Sequence, residues 1–100
     1  MHTINQSLCY EIAIWKSAAA PSEVLSAVSA VKMWLQSQPG FISHTFLVDE
    51  QAASYVDIVT WASEAQAKQA MESSMSAPEL GALLRVIEPS SVVMRHAKAP

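Results

Sequence analysis

The chain has 100 residues, of which 51% are hydrophobic and only 15% charged, and its formal net charge is −3. That length holds one ordinary core rather than two, and so apolar a composition excludes intrinsic disorder. Six scattered basic residues exclude a phosphate-tracking nucleic-acid surface, one cysteine excludes an internal disulfide framework, and no apolar run reaches the length of a membrane span. A charged fraction well below the usual ~25% also points to an oligomer, which exposes less surface per chain. The first residues, Met-His-Thr-Ile-Asn-Gln-Ser, show neither a basic nor an apolar leader region, so a cytoplasmic protein is expected. The expected organisation is a single domain over residues 1–100, with its core at about 8–97 and a frayed tail at 98–100.

In chain order, the first element is the alternating stretch Leu8 to Trp15. Leu8, Tyr10, Ile12 and Ile14 share one face, and Cys9, Glu11, Ala13 and Trp15 the other, which reads as a strand. Pro21-Ser22-Glu23 opens a helix, with proline where its missing N–H costs nothing. Val24, Val28, Val31 and Leu35 then form one apolar helical stripe, and Pro39-Gly40 stops it. Phe41 to Val48 is a second strand and Asp49-Glu50-Gln51 a turn. Tyr55 to Trp61 is a third strand, with Tyr55, Asp57, Val59 and Trp61 on one side and Val56, Ile58 and Thr60 on the other. Ser63 caps a helix from Glu64 to about Ser74, built from good helix formers. Pro78 begins a short helical segment through Leu84, Pro89-Ser90 ends it, and Ser91 to Ala97 is the last strand.

The order β-α-β-β-α-β predicts an α+β, ferredoxin-like domain: a four-stranded antiparallel sheet with its helices on one face. The second face of such a sheet is normally wet. Here the second and third strands carry apolar residues on both faces. A second copy of the same sheet is the simplest cover, so a homodimer joined through sheet faces is expected.

Tyr55-Val-Asp-Ile-Val-Thr-Trp61-Ala-Ser63-Glu64-Ala65 resembles the W-x-S-x-E/A signature of antibiotic-biosynthesis-monooxygenase-like proteins. Pro39-Gly40-Phe41-Ile42-Ser43 is similar to the Pro-Gly-Phe opening of that family's second strand. The resemblance implies a dimeric α/β-barrel with a pocket between sheet and helices in each subunit. It also implies cofactor-independent oxygen chemistry, with no cofactor, on aromatic or quinol-like compounds. The haem-degrading branch of the family places a second tryptophan nine residues after the motif tryptophan, where this chain has Ala70. That branch also uses a histidine on the following helical segment, yet no histidine occurs here between His44 and His96. Other members carry a histidine near the middle of the second helix, where this chain has Ala70-Met71. Haem degradation, and base catalysis by such a histidine, are therefore not expected.

Asp57 and His44 are the candidate catalytic residues. A carboxylate on a helix-covered face is desolvated, which raises its pKa towards that of a useful base. Against that stands a structural Asp57 paired with Arg85 or Arg95. His44 is expected to share its face with Ile42 and Phe46, as a proton-transfer group or as a hydrogen-bonded core or interface histidine. Tyr55, Trp61, Trp34 and Met71 are the candidate ligand-binding residues. Each has a structural alternative: Trp61 as a core aromatic, Trp34 as a flank of the core, Met71 as filler alongside Met33, Met75 and Met94. Cys9 reads as a buried inert thiol. His2 and His96 lie at opposite ends of the chain, so spacing supports no metal site. Three functions remain open: a cofactor-independent monooxygenase, a non-catalytic dimer that binds a small hydrophobic or aromatic molecule, and a purely structural dimer. The discriminating feature is a cavity on the helix side of the sheet, and whether Asp57 or His44 lies inside it.

Overall fold

A computed structural model describes residues 7–100; His2 lies outside that range. The elements are β1 (Cys9–Trp15), α1 (Pro21–Gln36), β2 (Phe41–Asp49), β3 (Ser54–Trp61), α2 (Glu64–Ser74), α3 (Pro78–Val86) and β4 (Val93–Ala97). All strand pairs are antiparallel, in the order β2-β3-β1-β4. The fold is therefore ferredoxin-like, with the helices packed on one sheet face. No helix among the described residues is long and apolar enough to cross a membrane.

The valine stripe of α1 does what its spacing predicts: Val24, Val28, Val31 and Leu35 are buried against Trp15, Val59, Trp61 and Leu83. Ser63 caps α2 by accepting a hydrogen bond from the Gln66 amide. Gly40 ends the α1–β2 turn at φ +83°, a conformation that other residues adopt only with strain. A Cβ at that position would also run into the Gln66 side chain. The last strand starts at Val93 rather than Ser91. Pro89–Ser91 instead forms one tight helical turn, in which the Ser91 hydroxyl donates to the Glu88 carbonyl and accepts from the Lys16 amide.

A bulge in β2 sets the faces of the sheet. Phe41 pairs with Trp61 and Ser43 with Thr60, so Ile42 is an extra residue on its strand. Beyond it, His44, Phe46 and Val48 lie opposite Val59, Asp57 and Tyr55. Ile42 thus does not share a face with His44 and Phe46, as strict alternation predicts. The bulge instead puts His44 on the same side as Phe41, towards the helices. On the opposite face, Ile14, Leu47 and Val93 are 37%, 48% and 42% exposed, beside Ile12, Val56 and Ile58. Among the described residues, nothing covers that apolar face.

Candidate functional site

Between the sheet and the helices lies a cavity of about 310 Å³. Its floor is the helix-facing side of the sheet: Glu11 and Ala13 of β1, His44 of β2, Asp57 and Val59 of β3, and Met94 of β4. Trp15 and Trp61, at the ends of β1 and β3, close the two sides. Val28, Val31, Trp34 and Leu35 of α1 and Leu80, Gly81 and Leu83 of α3 form the roof, with Ala70 and Met71 of α2. The space exists because Ala13, Val59, Ala70 and Gly81 are small where larger side chains would meet. Met71, Met75 and Leu84 are exposed and mark the side where the cavity reaches the surface.

The lining is apolar apart from Ser74, whose hydroxyl donates to the Met71 carbonyl, and two polar clusters. In the first, Asp57 Oδ1 lies 2.6 Å from His44 Nε2, and Asp57 Oδ2 accepts a hydrogen bond from Trp15 Nε1 at 2.8 Å. The His44 side chain is only 2% exposed, and its other nitrogen, Nδ1, is buried with no partner among the described residues. An indole N–H can only donate, so Asp57 serves Trp15 as an acceptor. With Asp57 ionised, Nε2 must carry the proton of the His44–Asp57 bond. In the neutral imidazole, Nδ1 then holds a bare lone pair. Lys32 Nζ donates to the His44 backbone carbonyl at 3.2 Å and ties α1 to the strand at this residue. Behind the pair, Trp15 packs on Tyr55 at a centroid distance of 4.9 Å, and Phe46 stacks on Tyr55 at 5.5 Å.

In the second cluster, Glu11 Oε1 accepts from Trp61 Nε1 at 3.0 Å and lies 3.9 Å from His96 Nε2. Trp61 is 1% exposed and meets the edge of Phe41, so it is at once core aromatic and cavity wall.

Five of the six residues singled out in the sequence therefore line one space: His44, Asp57, Trp61, Trp34 and Met71. Tyr55 does not; it belongs to the aromatic stack that backs Trp15. The expected pairing of Asp57 with Arg85 or Arg95 is absent. Arg95 lies opposite Ile12 on the other face of the sheet and donates to the Met94 carbonyl, and Arg85 is exposed on α3. Glu11 was not among the sequence candidates. Its signal was its alternation with Cys9, Ala13 and Trp15, which put a carboxylate on the covered face. Cys9 is buried, and burial pushes its thiol pKa above the usual value. Glu64, outside the cavity, has its carboxyl held below the usual range by a hydrogen bond from Lys98 at 3.2 Å.

No protein-family model matches the sequence, and no curated protein matches it. Solved structures do. The cofactor-independent oxygenase SnoaB from Streptomyces nogalater superposes with a TM-score of 0.72 at 22% identity, over 94% of this chain and 92% of that one. A monooxygenase from the gene ActVA-Orf6 of Streptomyces coelicolor, solved with the ligand nanaomycin D, gives 0.71 at 17% identity, over 94% and 88%. A dimeric ferredoxin-like protein of unknown function from Jannaschia sp. CCS1 gives 0.70 at 9% identity, over 92% and 99%. The chain thus has the fold of antibiotic-biosynthesis-monooxygenase-like proteins, in keeping with the resemblance carried by residues 39–43 and 55–65.

Proposed function

We propose that the protein is a cofactor-independent monooxygenase of hydroxylated aromatic, quinol-like compounds, and that it acts as a homodimer joined through the open sheet faces. One observation carries the catalytic reading: a nearly inaccessible histidine of the cavity lining is held by a part-buried carboxylate, and its second nitrogen is buried without a partner among the described residues. The large majority of buried side-chain polar atoms are hydrogen-bonded, so an orphaned imidazole nitrogen supports a use beyond packing.

In this reading a ring hydroxyl of the substrate gives its proton to His44 Nδ1. Asp57 holds the resulting imidazolium in place and balances its charge. The phenolate passes one electron to dioxygen, and the phenoxyl radical and superoxide then join at a ring carbon, forming a C–O bond. The imidazolium returns its proton to the outer oxygen. Loss of the ring C–H proton with cleavage of the O–O bond leaves a quinone carbonyl and water. The sum is one phenol and one dioxygen to one quinone and one water, with the substrate supplying the electrons. The apolar walls keep bulk water from the phenolate and the radical pair.

The dimer is supported by the apolar residues left open on the second sheet face and by the dimeric form of one structural relative. Oxygen uptake with hydroxylated naphthalenes, in buffer containing a metal chelator, tests the activity. Uptake is expected with the wild type and its loss with His44→Gln. Tight binding of the same compounds without uptake would replace this reading by a non-catalytic binding dimer.

A further inference from the structure

The strand register places His44, Val59, Glu11 and His96 in one row across the sheet, each opposite the next on its neighbouring strand. Val59 separates His44 from Glu11, so with strands ~4.8 Å apart their Cα atoms stand roughly 10 Å from one another. Val59 and Ala13 form a low apolar floor between them, and the cavity opens above it. Each end of this span has a buried indole donating to a carboxylate: Trp15 to Asp57, and Trp61 to Glu11. Glu11 Oε1 is committed to Trp61, but a carboxylate has about four acceptor positions, so Glu11 can accept further bonds from the cavity. At the His44 end, the buried Nδ1 has no partner among the described residues, and in the neutral imidazole protonated on Nε2 it is likewise an acceptor.

We infer that Glu11 selects substrates carrying a second hydrogen-bond donor at the far end of the ring system: a flat fused bicycle with one hydroxyl at His44 and another at Glu11. This inference rests on the monooxygenase reading for the role of His44, but the selection by Glu11 is a separate property. A carboxylate at that end also repels an anionic substituent. A ring acid placed there meets a like charge in a poorly solvated space and is rejected.

Calorimetric titration of three naphthalenes tests this: one with hydroxyls on opposite rings, one with a single hydroxyl, and one with a carboxylate in place of the second hydroxyl. The wild type is expected to bind the dihydroxy compound about tenfold more tightly than the monohydroxy compound, the yield of one hydrogen bond to a charged acceptor. The carboxylate compound is expected to bind most weakly. Glu11→Ala should bring the ratio of dihydroxy to monohydroxy affinity close to one. Glu11→Gln, which keeps an acceptor for Trp61, should relieve the rejection of the acid. Equal binding of mono- and dihydroxy compounds by the wild type would overturn the role of Glu11 and leave the aromatic cavity standing. A preference that survives in both variants would do the same. Failure of the wild type to bind any of the three would overturn both this inference and the monooxygenase reading.

Discussion

Asp57→Asn separates the two tasks assigned to Asp57, holding the local structure and setting the protonation of His44. The carboxylate accepts two part-buried hydrogen bonds, at 2.6 Å from His44 and 2.8 Å from Trp15. Asparagine can keep both: its oxygen accepts from Trp15, while its amide nitrogen donates to His44 Nε2. Only the charge assistance is lost, so the expected destabilisation is about 1–2 kcal/mol, the difference between charged and neutral hydrogen bonds. The same rearrangement forces the histidine proton onto Nδ1, turning the proposed base into a donor. Activity should then fall by roughly 10²–10⁴, the range for a general base held in the wrong tautomer. Asp57→Ala, which leaves Trp15 and His44 both unsatisfied, should cost more in stability, about 2–5 kcal/mol. Urea midpoints give the stabilities, oxygen uptake the activity, and nitrogen NMR of labelled histidine shows which ring nitrogen carries the proton. A proton that stays on Nε2 in Asp57→Asn, or activity within a factor of two of the wild type, would refute the reasoning.

Trp61→Ala should destabilise by about 3–5 kcal/mol, because the ring is buried and its removal leaves a cavity and takes the indole donor from Glu11. Trp61→Phe should cost only about 1–2 kcal/mol but weaken aromatic ligands; both are read from denaturant midpoints and calorimetry. Gly40→Ala should cost at least about 1 kcal/mol in the same assay, since it joins a left-handed backbone to a collision with Gln66. The raised pKa of Cys9 means less thiolate at a given pH. Together with burial, it should make alkylation at pH ~8 far slower in the native protein than in urea, as followed by mass spectrometry.

Much of this architecture is legible in the sequence because its periodicities are strong. The Val24, Val28, Val31 and Leu35 stripe identifies α1 and its buried face. The alternation in β1 and β3 places Trp15, Asp57, Val59 and Trp61 on one side of the sheet. The face of His44 is not legible in the same way, because it depends on the bulge at Ile42. One inserted residue inverts the parity of everything beyond it, and no glycine or proline within the strand marks the spot. The partner of Asp57 was hidden for the same reason. An arginine is the obvious counterion on charge alone, but Arg95 has the parity of Ile12 and faces away. The acceptor role of Glu11 required both the register of β1 on β3 and the direction of the Trp61 indole, neither of which is a local property of the chain. The size of the cavity follows from small residues on three separate elements, Ala13, Val59 and Ala70. Their convergence is a tertiary fact.

The most direct test of the account is the fate of isotopically labelled dioxygen in chelator-treated protein supplied with the naphthalene that bears a hydroxyl on each ring. The wild type, and not His44→Gln, is expected to form a hydroxynaphthoquinone carrying one labelled oxygen, with the second label in water. A product without label, or labelled product formed equally well by His44→Gln, would contradict it.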